Sequence, residues 1–333
     1  MLDSSLILLI IIVLLAIGFG ISNGFNDAAN SIATAIGSRA ISPRNALFIA
    51  VVAEFAGAAT GQAVARTIGK GILVPEAISY LTVIAALASV IIWTTAATRL
   101  GLPVSLSHGF VAALAAAGMA VVGSGAVNWV VMFRIIGGVF LAPVLGFIGG
   151  FALMVIFYWI FRKSAPEKVR SLFSRWQYVA AFFMAYSHGK NDGQMPIGVI
   201  TMALVVYSGK TALWDDIPFW IIALSALAIS SGTAMGGWRV IRTLGTRVTT
   251  MRPVHGFTAQ ASAAAVIEAA SNLGLPVSTT HCISASIMGV GATRRFSAVR
   301  WGVAGTIVTA WILTFPICGG MGYLFAWLLH FVF

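Results

Sequence analysis

Apolar runs of about twenty residues recur from Leu6 to Phe333, and the polar residues fall between them or interrupt them at a few marked places. A run of that length crosses a hydrocarbon core of about 30 Å as a helix. The first apolar segment covers residues 6–40 and is interrupted at Ser22-Asn-Gly-Phe-Asn-Asp-Ala-Ala-Asn30. Gly and three Asn weaken helix continuity there, so the first helix is expected to be broken. A helix from about Asn45 to Arg66 follows, with Glu54 in its middle. Two apolar stretches between Tyr80 and Val122 flank Gly101-Leu-Pro-Val-Ser105 and read as a helical hairpin with its tip at the Gly-Pro. A helix over about 134–161 reaches a polar stretch. Residues 177–207 then repeat the opening pattern, interrupted by His188-Gly-Lys-Asn-Asp-Gly-Gln-Met-Pro196. A helix over 217–240, a second hairpin over 256–292 and a final helix from Trp301 to about His330 complete the expected set.

The pattern is written twice. Asn23-Gly-Phe-Asn-Asp27 matches His188-Gly-Lys-Asn-Asp192, Arg66-Thr-Ile-Gly69 matches Arg242-Thr-Leu-Gly245, and Gly101-Leu-Pro-Val-Ser105 matches Gly274-Leu-Pro-Val-Ser278, at offsets of 165, 176 and 173 residues. Three correspondences in one order mark an internal duplication, with a first repeat over 1–161, a linker over 162–176 and a second repeat over 177–333.

Composition sharpens the class. The 333 residues are 59% hydrophobic and 9% charged, against roughly 45–50% and about 25% in a soluble domain. An all-α polytopic membrane protein is expected. Met1-Leu-Asp-Ser-Ser5 lacks the positive start of a secretory signal, so the first helix is expected to be retained. Cys282 and Cys318 sit in apolar sequence without ligand spacing and read as packing residues. The net charge of +11 matters through where the 20 Lys and Arg fall. Arg162, Lys163, Lys168, Arg170 and Arg175 make the linker basic, hence cytoplasmic, and its Ser164-Ala-Pro-Glu167 centre marks it as a loop. Arg39, Arg44, the cluster from Arg239 to Arg252 and that from Arg294 to Arg300 then lie on the same side, 14 of the 20 in all. Both termini fall outside. If each hairpin returns to its own side, each half crosses an odd number of times. The repeats are therefore expected to have inverted topology, each with a broken first helix and a helical hairpin, the hairpins entering from opposite faces so that their tips can meet. That is a secondary-transporter architecture.

The interruptions carry the candidate chemistry. Backbone amides freed at a helix N-terminus favour anions, and Ser105, Ser107, Ser278, Thr279 and Thr280 add hydroxyl donors at the two tips. A tetrahedral oxyanion can draw on both tips at once. Ser and Thr in membrane helices can also bond back to their own backbone and merely tolerate the proline kink. Asp27 and Asp192 are intramembrane carboxylates, costly unless a cation, a proton or water meets them. With Asn23, Asn26 and Asn191 they form a candidate sodium set, and the alternative is a cap on local amides. Glu54 and Glu268 interrupt the pseudo-symmetry, with Ser230 and Thr95 at the matching places, and are candidates for coupling or gating alongside His108 and His281. Structural hydrogen bonds are the other reading of these four. Arg99, beside one tip only, either attracts anions or snorkels. An anion channel would use the same helix ends. An intramembrane enzyme built on Ser105-Leu-Ser-His108 or Ser278-Thr-Thr-His281 is disfavoured, because adjacent helical positions do not face each other.

Asn23-Gly-Phe-Asn-Asp-Ala-Ala-Asn30, Asn191-Asp192 and the twin Gly-Leu-Pro-Val-Ser segments resemble the inorganic phosphate transporter family along essentially the whole chain. The resemblance implies uptake of inorganic phosphate coupled to sodium or protons, no resident cofactor, no nucleic-acid partner, a homodimer and a cell-membrane location. It maps the family's motif onto Asn26, Asp27, Asn30, Asn191 and Asp192, with Asn26 and Asn191 also counted toward phosphate. Met195 stands in the second motif where the first has Asn30, so the two cation sites differ. No long central domain separates the halves, as in a compact prokaryotic member. The physical competitors within transport are sulfate, also a tetrahedral oxyanion, and proton coupling.

Overall fold

The computed structural model describes residues 4–332, so Met1–Asp3, part of the start from which a retained first helix is expected, and Phe333 lie outside it. Helices account for every regular element among the described residues. The first half contains α1 (Ser4–Gly37), α2 (Pro43–Ala58), α3 (Ala63–Lys70), α4 (Tyr80–Leu100), α5 (Leu106–Val122) and α6 (Trp129–Ile160). The second contains α7 (Pro166–Asp192), α8 (Gln194–Ser208), α9 (Phe219–Met235), α10 (Trp238–Arg242), α11 (Pro253–Asn272), α12 (Thr279–Ala292) and α13 (Trp301–Val332). Helices α1, α4, α6 and α13 are each long and apolar enough to cross a membrane. The bent pairs α2–α3 and α9–α10 raise the number to six if each counts as one span.

Three sequence expectations need correction. The break within Ser22–Asn30 does not occur, because α1 runs through it for 34 residues, about 51 Å at the usual rise. The Asn26 and Asn30 side chains are engaged outside the helix rather than competing with its backbone. Asn26 donates to Thr98 Oγ1 at 2.5 Å and Asn30 to Thr280 Oγ1 at 2.9 Å. The second half is interrupted only at Gly193. There Pro196 has no N–H for the carbonyl of Asp192 and its ring crowds that carbonyl, whereas the matching residue of α1 is Ser31. The expected single helix over 45–66 is two helices bent by 67°, with Gly61 at φ +87°, and that over 217–240 bends by 62° beyond Gly236. The linker over 162–176 is mostly helical. Pro166 is the first residue of α7 and Glu167 lies in its first turn, both favourable at a helix start. The remaining loop is 161–165.

Both hairpins form, by the same local chemistry. Gly101 ends α4 at φ +72° and Gly274 follows α11 at φ +69°, a conformation costly for any residue with a Cβ. The extended Pro-Val-Ser stretch then leads to a serine cap. Ser105 Oγ accepts the N–H of His108 at 3.3 Å, and Ser278 Oγ that of His281 at 3.0 Å.

The elements pack in reciprocal pairs across the halves. Helix α1 lies on α9 and α7 on α2, while α13 covers the first hairpin and α6 the second. Small residues bring these helices close. A Cβ on Gly24 would sit 2.0 Å from the carbonyl of Ile229, and one on Gly189 2.3 Å from that of Glu54. Two apolar cores result, each drawing on both halves. Phe133, Phe140, Ile148 and Trp159 of α6, with Ile312, Trp327 and Phe331 of α13, face outward and give the molecule an apolar belt.

Candidate functional site between the hairpins

Between the two apolar cores lies a buried polar cluster on the consecutive turns of α1, α7, α5 and α12. On α1, residues 23, 26, 27 and 30 share one face. The return helices approach this face with their first turns. Ser107 donates to Asp192 Oδ1 at 2.9 Å, Thr279 to Asp192 Oδ2 at 3.4 Å, and Thr280 to Asp27 Oδ1 at 3.0 Å. Thr280 also reaches the carbonyl of Val104 in the other hairpin at 3.2 Å. Asn30 donates to Thr279 and Thr280 at 3.3 and 2.9 Å.

What meets at the centre is therefore the first turn of α5 and of α12, not the Gly-Pro bends. Each bend is held elsewhere by the opposite half. Thr67 Oγ1 of α3 donates to the carbonyl of Gly274 at 2.7 Å, and Thr243 Oγ1 beyond α10 donates to that of Gly101 at 3.0 Å. Both threonines belong to the matched Arg-Thr-x-Gly segments. Arg99 is exposed, and only its carbonyl is used, accepting from the Arg239 guanidinium.

The two Asn-Asp asparagines brace their own hairpins. Asn26 binds Thr98, and Asn191 donates to Ser271 Oγ at 2.8 Å and the Leu275 carbonyl at 3.1 Å while accepting the N–H of Val277 at 3.2 Å. Thr98 and Ser271, each three residues before the hairpin Gly, are functional positions missed by sequence reasoning, although the 173-residue offset pairs them. The side-chain oxygens of Asn23, Asn26 and Asn30 are buried with no hydrogen-bond partner, as is the amide nitrogen of Asn23. Uncharged oxygen donors beside carboxylates suit a hard cation, so this face fits sodium by its chemistry.

Glu54 belongs to the cluster and Glu268 does not. Glu54 is fully buried, accepts from Ser31 Oγ at 3.3 Å and from Thr233 Oγ1, and faces His188. Glu268 lies at the periphery in an ion pair with Lys190 and accepts from Asn272. His188, also missed, occupies the centre of three carboxylates. Its Nδ1 is 3.1 Å from Glu54 Oε1, and its Nε2 is 3.4 Å from Asp192 Oδ2 and 3.7 Å from Asp27 Oδ2. None of these contacts is a linear hydrogen bond, so no single partner fixes the ring. The available signal was its match with Asn23 in the repeat. Asp27, His188 and Asp192 also stand close enough to share one cation.

His108 and His281 pack against each other and against aromatic rings of α13. Their rings meet edge-on at 4.9 Å between centroids, His281 stacks on Trp311 at 4.1 Å and His108 on Phe315 at 5.5 Å. Ser107 donates to Asp192 rather than to His108, so these two adjacent residues do not pair.

Comparison with known proteins identifies the family. The model of the phosphate transporter family, which are transporters and not enzymes, matches residues 23–168 and 161–322. A probable low-affinity inorganic phosphate transporter of Bacillus subtilis (strain 168) is 40% identical over 99% of this chain and 100% of its own length. One of the same description from Rhizobium meliloti (strain 1021) is 39% identical over 93% of this chain and 92% of its own. A solved structure described as the sodium-dependent phosphate transporter superposes with a TM-score of 0.91 at 29% identity, covering 98% of this chain and 100% of that one.

Proposed function

This chain belongs to the phosphate transporter family, and from that premise we propose that it takes up inorganic phosphate together with sodium, by alternating access between two halves of inverted topology. The observation that carries the reading is the convergence of two helix N-termini, one from each half, on a shared carboxylate cluster. The amides and hydroxyls of Ser105, Ser107, Ser278, Thr279 and Thr280 hold the anion. Asp27, Asp192 and the free amide oxygens of α1 hold the cations. Three buried carboxylates would repel an anion entering alone, strongly so in a low dielectric. Cations that enter with it remove the repulsion, so each ligand tightens the other by the same factor. The carboxylates also offer acceptors for the proton that phosphate carries and sulfate lacks. The basic end of the molecule lies in the cytoplasm on the charge rule.

His188 favours a second reading on its own account. A protonated imidazole amid Asp27, Glu54 and Asp192 can stand where a sodium ion would, which makes a proton the coupling ion. Labelled phosphate flux into vesicles under imposed sodium or proton gradients separates the two readings. Sodium coupling predicts uptake driven by inward sodium, and still driven by it in His188→Gln. Proton coupling predicts uptake driven by inward protons and lost in His188→Gln. Uptake indifferent to both gradients removes coupling altogether, and equal inhibition by sulfate removes the phosphate preference.

A further inference from the structure

Away from the hairpins, at the basic end of the molecule, a cavity of about 690 Å³ is walled by α6, α7 and the start of α11. Arg39, Arg162, Arg170, Arg252 and Arg294 converge on it from four separate stretches of chain, against one acidic residue, Glu167. No arginine among the described residues is ion-paired. The rest of its lining includes the apolar and aromatic residues Met154, Phe157, Tyr158 and Phe161. Arg162 caps the exposed ring of Trp159 at 4.3 Å.

Two features set this cavity apart from an ordinary basic rim, where charges need only lie on the correct side of the membrane. Arg39 is the one non-glycine residue with positive φ among those described, at +58°. Glycine or asparagine would make that turn without strain, so the backbone holds an arginine where its side chain lines the cavity. His255, at the start of α11 and outside the apolar spans, adds no cationic charge. Burial, and then the charges of Arg294 and Arg252, push it down to about 4. The positive charge is thus carried by guanidinium groups, whose planar fork suits phosphate oxygens.

We propose that this cavity binds a phosphoryl group carried on an apolar body, the headgroup end of an anionic phospholipid, and that this site is distinct from the one between the hairpins. Guanidinium groups take the phosphodiester, and the aromatic wall takes the glycerol and upper acyl carbons.

Native mass spectrometry of the whole protein in mild detergent, titrated with phosphatidylglycerol, phosphatidylcholine or inorganic phosphate, tests this. Phosphatidylglycerol is expected to bind at least about tenfold more tightly than phosphatidylcholine, and the triple variant Arg39→Gln/Arg252→Gln/Arg294→Gln to lose about tenfold or more of that affinity. Glu167→Gln, which removes the one opposing charge, is expected to strengthen it, and this sign holds even if the triple variant fails to fold. Millimolar inorganic phosphate that leaves the lipid in place supports the lipid as source. Displacement by inorganic phosphate keeps the phosphoryl site but overturns the lipid. Binding that ignores the triple substitution in a folded variant, or that falls in Glu167→Gln, overturns the site.

Discussion

Asp192 accepts hydroxyls from both hairpins, Ser107 from α5 and Thr279 from α12, whereas Asp27 accepts only from Thr280. Asp192→Asn is therefore expected to be the more damaging change. A charge-assisted hydrogen bond contributes about 1.5–3 kcal/mol, so phosphate uptake should fall roughly ten- to hundredfold. Asp27→Asn should chiefly flatten the sodium dependence. Uptake in vesicles measured against sodium concentration checks both, and an unaltered sodium dependence in the two variants would remove their role. These carboxylates stood out in the sequence because a charge in apolar surroundings is costly. His188 did not, because a histidine beside Gly189 and Lys190 looks like part of a polar interruption. Its contact with Glu54 joins residues far apart in the chain and is visible only once α2 and α7 are packed.

At the scale of elements, the threonines that hold the Gly-Pro bends act as paired catches. If the halves are inverted, losing one catch loosens one face only. Thr243→Val should speed modification of a cysteine placed at Leu102 by an impermeant maleimide from one side of the membrane, and Thr67→Val that of one placed at Leu275 from the other. One hydrogen bond contributes about 0.5–1.5 kcal/mol, so the change should be about two- to tenfold. Modification from the same side in both would contradict inversion. The helix crossings carry a stability prediction. Gly24→Ala and Gly189→Ala should each cost about 1–3 kcal/mol through overpacking, seen as an earlier thermal unfolding in detergent. Gly319→Ala, whose Cβ meets nothing nearer than 3.7 Å, should unfold like the parent. The hairpins were legible because Gly and Pro are strong local punctuation. The continuity of α1 was not, because asparagine is a weak breaker that Thr98 and Thr280 overrule. Pro166 was misleading because proline serves equally in a loop and at a first helical turn.

For the whole molecule, the duplication could be read directly, since three matched segments survive in order. The exchange of covers between halves could not, because a periodic apolar face says that a helix is covered and not by what. In the structure α13 covers α4 and α5, and α6 covers α11 and α12. Ending the chain after Arg300 should leave the first hairpin without its partner and the protein aggregated in size-exclusion chromatography. Residues 301–333 supplied as a separate helix should restore a folded peak, and a well-behaved truncated protein would refute this dependence. The same exchange sets a schedule for biogenesis. The first hairpin is complete when Val122 has been made, yet its cover ends near Val332. At roughly 5–20 residues per second, a ribosome needs on the order of 10–40 s to make the intervening chain. For that interval a hairpin with Ser105 and Ser107 at its turn waits in the bilayer, a client for whatever chaperone shields half-finished membrane proteins.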